Sequence, residues 1–513
     1  MNDPGSASKS SREILARWAL PVATLLFFAL TAPGYGVFRD ELYYFACGQH
    51  LAWGYVDQPP LIALIAAVCR ALFGTSWIAA RVVVAVAAGA TVLLVGDTAK
   101  ELGAGRWGRV LAQVLIASAP IFLGLFSFFS MNAFNLLIWA GLARLASRLL
   151  AGGNPRLWLA FGALAGVGLE NKFDVGLVGA GLALGLILGR RFDVLRQRWL
   201  WLGGALAALL FLPHVLWQWQ HGWPTREFIA NAQEGKIHAL GALGFLVAQL
   251  KTVGPVASLL ALGGLVWLLL ARAARPFRPM GWAIVTVLAI FAFSISKPYY
   301  FAAAFTWLFP AAGAAVEGWT AGIRWQRGVR VATMVLAATI LLAAPLAKPL
   351  LPVETYLRYS AALGEKPGSS ENHELGRLPQ FFADMHGWRQ MAEAVAQVYD
   401  SLPPEDRAQA CVYTQNYGEA GAIDFFGPEL GLPPATSGHN NYWYWGLRGC
   451  SGQVLLIFGG NPENHQRVYA DLTPGGTFEC TDCMPYENHR TIWIARHPKI
   501  DLASGWERVR HFD

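Results

Sequence analysis

WIAARVVVAVAAGATVLLVG, residues 77–96, runs for the length of a membrane helix with Arg81 as its only charge. The apolar core of a bilayer is about 30 Å thick and takes about 20 such residues, because backbone groups there can bond only within their own helix. Working outward, comparable stretches lie at 16–36, 108–127, 131–150, 157–169, 174–189, 199–219, 242–270, 281–296, 299–317 and 329–349. That makes about eleven; the one at 157–169 is too short to cross alone. The 513 residues are 55% hydrophobic and 14% charged, against about a quarter charged in a soluble domain. The expectation is an α-helical polytopic membrane protein.

Lys and Arg alternate between the short loops. Lys100, Arg106 and Arg109, then Arg144, Arg148 and Arg156, then Arg190, Arg191, Arg196 and Arg198, then Arg272, Arg275 and Arg278, then Arg324, Arg327 and Arg330 mark one face. The positive-inside rule makes that face cytoplasmic. The other face holds Asp40, Glu41, Asp57, Glu170, Asp174, Glu227 and Glu234. The net charge of +7 is largely this basic collar, so no nucleic-acid surface is implied. An odd number of spans puts the N-terminus inside and the C-terminal region outside. Residues 1–15 read as a Ser-rich disordered cytoplasmic tail, and 16–350 as the transmembrane domain.

After about residue 350 the apolar stretches stop. QVLLIFGG (453–460) and RTIWIARH (490–497) read as strands, alternating with a helix near 387–400, so 351–513 is expected to be a soluble extracytoplasmic α/β domain. It carries Cys411, Cys450, Cys480 and Cys483. In an oxidising compartment these suggest disulfides, with three pairings open, while the CxxC at 480–483 also fits half a zinc site or a redox pair. Cys47 and Cys69 either pair or serve as small core residues.

Charged residues at a membrane boundary are costly unless solvated, paired or functional, which directs attention to the outer loops. The first, 37–76, contains FRDELYYFACGQHLAWGYVDQPPLIALI (38–65), with apolar residues at helical spacing. One or two interfacial helices are expected there. Arg39, Asp40 and Glu41 are on one reading a solvated cap on the first span, and on another a site.

RDELYY (39–44) and GYVDQPPL (54–61) resemble the first outer loop of the polyprenyl-phosphate-dependent GT-C glycosyltransferases related to protein O-mannosyltransferases and to the aminoarabinose transferase of lipid A, glycosyltransferase family 39/83-like proteins. SMNAFNLLIWA (130–140), GLENKFDVGLV (168–178), HGWPTREFI (221–229) and KPYYFAAAFTWLFPAAGA (297–314) resemble later membrane segments of that family. LPQFFADMHGW (378–388), NYGEAGAIDFFGP (416–428) and SGHNNYWYWG (437–446) resemble its soluble domain. The resemblance implies a GT-C fold of about 11–13 spans. It implies transfer of a sugar from a polyprenyl phosphate carrier to an acceptor hydroxyl on the outer face, with inversion.

Such a reaction needs a carboxylate to take the acceptor's proton and a cation for the departing phosphate. Asp40 stands where the family has its catalytic carboxylate, with Glu41 as alternative or partner. Candidate phosphate ligands are Arg39, Arg81, Lys172 and Lys297, each of which also reads as an interfacial snorkelling side chain. Lys172 is the sharpest, set in a short turn among Glu170, Asn171 and Asp174. Substrate contacts are expected from Tyr43, Tyr44, Asp57, Gln58, Asn132, Glu170, Asn171, His221 and Tyr299. Two departures stand out: Gln58 replaces a common His or Lys, and Asn132 replaces a common Asp.

No metal site is assigned and no cofactor is certain from the sequence, with a divalent cation as an open possibility; His214, His221 and His238 are candidates for metal or sugar contacts. The partners implied are a polyprenyl-phosphate-linked sugar, an acceptor lipid, glycan or protein, and the bilayer of a bacterial inner membrane. The rival readings are a catalytically inactive homologue that binds lipid-linked sugars and a transporter or flippase of them. Transporters often show repeated halves with broken helices near the midplane, and no repeat is evident.

Overall fold

The computed structural model describes residues 4–237, 240–369 and 371–513. The chain forms two compact units. One comprises Met1–Gly34, Ile78–Leu216 and His238–Pro352; the other comprises Tyr35–Trp77, Trp217–Ile237 and Val353–Asp513.

The first unit is helical, and each of the eleven apolar stretches is found in helix. Ser11–Leu30, Trp77–Glu101, Met131–Leu150, Arg198–Gln220, Pro298–Thr320 and Gln326–Ala347 are each long and apolar enough to cross a membrane. The other stretches are shorter or broken, so this number is below the eleven expected from hydropathy. Leu157–Leu169 and Val175–Leu188 are short apolar helices. The stretch 242–270, read as one span, is two helices bent by 116° between Val253 and Pro255. The local cause is Gly254, whose φ of +89° is disfavoured for a side-chain-bearing residue, followed by Pro255, which lacks the donor that would continue the helix. The opening residues also differ from expectation: helix begins at Pro4, so most of the presumed disordered tail extends the first helix.

The second unit contains a five-stranded sheet of order β2-β1-β3-β5-β4, with β1 Ala410–Thr414, β2 Ala435–Ser437, β3 Val454–Phe458, β4 Tyr469–Phe478 and β5 Arg490–Pro498. β1 runs parallel to β2 and β3, whereas β5 is antiparallel to β3 and β4. The strand alternation sorts side chains onto two faces. Val412, Leu456, Phe458 and Ile492 enter the main core against Trp388, Met391 and Val395 of helix Trp388–Asp400. Cys411, Leu455, Ile457, Tyr469 and Ala495 face the other way.

That main core also takes in Val37, Leu42, Tyr43, Ala46, Cys47, Tyr55 and Ala63. The segment 37–76, read as a loop of the transmembrane domain, therefore folds as part of the C-terminal unit, as helices Arg39–Gln49 and Leu61–Phe73. Burying Leu42, Tyr43, Ala46 and Cys47 against the sheet domain supplies the apolar gain that a short loop helix lacks alone. Of the cysteines, Cys411 and Cys450 form a disulfide. Cys480 and Cys483 remain thiols, as do the buried Cys47 and Cys69.

Candidate functional site

Asp40 lies in the first turn of helix Arg39–Gln49, its side chain one third exposed at 33%. Its Oδ1 accepts a hydrogen bond of 2.9 Å from the Tyr417 hydroxyl. Burial raises the Tyr417 phenol well above its ordinary pKa, so the hydroxyl stays protonated and donates. Glu41, one residue on, is fully buried and turned inward: its Oε2 accepts from the Phe38 N–H at 2.7 Å, capping the helix start. Of the two adjacent carboxylates, one is left at the surface and the other is absorbed by the fold.

Arg39 lies between several acceptors. It donates to the Tyr486 hydroxyl at 2.7 Å, approaches Asp40 at 3.7 Å and Asp384 at 3.9 Å, and crosses the Tyr417 ring at 5.4 Å. Burial alone would favour the neutral guanidine, but Asp384, Tyr417, Tyr486 and Asp40 outweigh it and hold Arg39 charged. Gly418 makes the crossing fit, since a Cβ there would meet Arg39 Cγ at 2.5 Å. Arg39 was expected at the phosphate; its observed partners belong to the protein. Asp384 is nearly buried, and desolvation pushes its pKa up to about 7 despite Arg39 beside it.

Asp57 and the aromatic pair form a second layer. The Tyr43 hydroxyl donates to Asp57 Oδ1 at 3.0 Å, and the Asn441 backbone N–H reaches the same hydroxyl at 3.3 Å. Asn441 Oδ1 also accepts from the Val56 N–H at 2.7 Å, fixing the chain just before Asp57. Tyr43 packs on Tyr417 with ring centroids 4.7 Å apart, and Tyr44 is buried beside it. Gln58, expected to face substrate, points inward, fully buried, with Nε2 3.6 Å from Cys47 Sγ. His221 is exposed and stacks on Trp217 at 4.1 Å.

Lys172 organises a separate cluster in the helical unit. Its Nζ donates to Asn132 Oδ1 at 2.7 Å, lies 4.0 Å from Asp174 Oδ2, and stands over the rings of Tyr300 at 5.0 Å and Tyr299 at 5.7 Å. Lys297 is close enough to repel it. Asp174 accepts two bonds from Asn135 Nδ2, and Asn171 Nδ2 donates to the Met131 carbonyl. Both Glu170 oxygens are buried with no hydrogen-bond partner among the described residues. Arg81, by contrast, donates to the carbonyls of Ala32 and Pro33 at 2.7 and 3.3 Å, tying down the chain after the first helix.

His439, His511 and Asp513 bring their ligand atoms within 4.8 Å of one another. The ring nitrogens are already engaged. His439 Nδ1 faces the Tyr417 N–H, so Nε2 carries the proton, directed at the Asp513 carbonyl 2.9 Å away. His511 directs its two nitrogens at the carbonyls of Val509 and Gln415. Of the histidines proposed from sequence, His214 is buried beside Phe173 and Phe211, and His238 lies outside the described residues.

Sequence reasoning gave no role to Tyr417, Asp384, Tyr486 or Asn441. The first, second and fourth sit in segments already singled out, NYGEAG, FFADMHGW and SGHNN; nothing in the sequence pairs them with residues 39–57.

Residues 57–217 match the family described as dolichyl-phosphate-mannose-protein mannosyltransferase. No curated protein matches the chain. Among solved structures, it resembles ArnT from Cupriavidus metallidurans in the apo state, with a TM-score of 0.59 at 15% identity, covering 93% of this chain and 97% of that one. The same protein bound to undecaprenyl phosphate gives 0.56 at 16%, with the same coverage. The Archaeoglobus fulgidus oligosaccharyltransferase AglB, solved with an inhibitory peptide and a dolichol-phosphate, gives 0.45 at 12%, covering 79% and 63%, a likeness too low to carry argument. The GT-C fold expected from the sequence is thus shown, as a mostly helical, ArnT-like membrane protein with a C-terminal sheet domain.

Proposed function

We propose that the chain is a glycosyltransferase that moves a sugar from a polyprenyl phosphate carrier to an acceptor hydroxyl on the extracytoplasmic face, with inversion. The observation that carries the reading is the state of Asp40: a carboxylate open to solvent on one side and held on the other by Tyr417. In the proposed step Asp40 takes the acceptor proton as the acceptor oxygen bonds to the anomeric carbon. The bond from that carbon to the phosphate oxygen breaks, and the carrier phosphate leaves with the electron pair. Arg39 keeps Asp40 beside a fixed positive charge, while Asp57, oriented by Tyr43, offers a second acceptor for sugar hydroxyls. In the helical unit, Lys172, with Lys297 nearby and the rings of Tyr299 and Tyr300 beside it, is by its own chemistry a candidate contact for a phosphate. A divalent cation has no assigned step.

The likeness to ArnT and to the mannosyltransferase family supports the class of donor, leaving sugar and acceptor open. The inactive-homologue reading draws on one observation: where relatives commonly have Asp, Asn132 is occupied by Lys172. The test is to incubate the purified protein with a panel of polyprenyl-phosphate sugars and membrane acceptors, comparing wild type with Asp40→Asn. Transfer by wild type with a loss of about a hundredfold or more in the variant is expected for a general base. Equal transfer by both removes Asp40 from the chemistry, and no transfer with any donor favours a binding protein.

A further inference from the structure

Helices Pro4–Leu30 and Arg106–Ser118 of the helical unit border a groove of about 520 Å³. Arg12 and Arg106 line it together with Leu15, Leu20, Val110 and Gln113. The charges around it do not balance. Arg17 binds Asp97 at 2.7 Å, Arg109 lies 3.6 Å from Glu13 and 3.7 Å from Asp97, and Arg106 shares Glu13 at 3.6 Å. Four arginines, 12, 17, 106 and 109, therefore face two carboxylates, and among the described residues Arg12 has no ion-pair partner.

Gln113, fully buried in helix Arg106–Ser118, ties that helix to the first. Its Nε2 donates to the Arg17 carbonyl at 3.1 Å, while its Oε1 has no partner among the described residues. A basic mouth and an apolar length match an anionic phospholipid: phosphate on the guanidinium groups and an acyl chain along Leu15, Leu20 and Val110.

We propose that this groove is a binding site for an anionic phospholipid, its phosphate held by Arg12 and Arg106. It belongs to the leaflet on the side of the basic loops. The site is independent of the sugar-transfer reading, since it uses neither Asp40 nor Lys172.

The test is native mass spectrometry of the full chain in detergent, titrated separately with phosphatidylglycerol, phosphatidylcholine and a polyprenyl phosphate. Phosphatidylglycerol is expected to bind about tenfold or more tightly than phosphatidylcholine, and the Arg12→Ala/Arg106→Ala double variant to lose that preference. Ala16→Phe, which narrows the groove with both arginines intact, should weaken binding similarly, and Arg156→Ala should not. Equal binding of the two phospholipids, unchanged binding in both groove variants, or displacement by polyprenyl phosphate at equal concentration would each overturn the assignment.

Discussion

The Tyr417 hydroxyl donates a 2.9 Å hydrogen bond to Asp40 Oδ1 across 377 residues of chain. A carboxylate free to rotate samples many directions, and one held by a phenol that cannot ionise is preorganised toward its remaining open side. Tyr417→Phe deletes only the oxygen and leaves the ring on Tyr43. It should lower kcat about tenfold with KM little changed, as expected for a positioning bond of roughly 1.5 kcal/mol to a charged group. Parallel changes in kcat and KM, or none, would mean that the contact does not serve the reaction.

Asp384 supplies a pH dependence with a definite sign. Its native pKa is about 7, raised from 3.8 chiefly by burial, so between those values the folded state holds more protons than the unfolded one. Stability should therefore fall as pH rises through that window, by at most about 1.4 kcal/mol per unit. Asp384→Asn cannot titrate and should flatten the slope. Thermal melts from pH 4 to 8 that keep the same slope in both proteins would contradict the assignment.

Gly418 and Arg39 are coupled sterically. Gly418→Ala places a methyl 2.5 Å from Arg39 Cγ, and overpacking at such a contact costs about 1–3 kcal/mol. In an Arg39→Ala background the same substitution should be close to neutral. Additive losses in a double-mutant cycle of melting temperatures would show that the clash is relieved elsewhere.

The disulfide between Cys411 and Cys450 closes a loop spanning 39 positions. Cys411→Ser/Cys450→Ser should destabilise the sheet unit by about 2–4 kcal/mol. A reductant should lower the melting temperature of wild type and leave the double variant unchanged. A reductant effect of equal size in both would point to Cys480 and Cys483.

Sidedness is open to direct labelling. Cysteines introduced at Asp193, in a basic loop, and at Glu405, in the sheet unit, occupy exposed positions. An impermeant thiol reagent applied to intact cells should modify position 405 and reach 193 only after permeabilisation. The reverse pattern would invert the topology and remove the extracytoplasmic assignment.

The sequence by itself determined that residues 77–96 and the other apolar stretches are helices in a membrane protein, because hydropathy and helix period are local properties of the chain. It also located the strands at 454–458 and 490–498 and picked out Asp40 by resemblance. It kept Glu41 beside Asp40 as alternative or partner, since adjacent carboxylates look alike until one caps a helix and the other meets Tyr417. It did not place 37–76 in the C-terminal core, turn Gln58 inward toward Cys47, or give Arg39 to Asp384 and Tyr486. Those outcomes belong to tertiary structure. They depend on segments hundreds of residues apart burying a common apolar surface, and only that packing decides which polar groups lose water and must find each other.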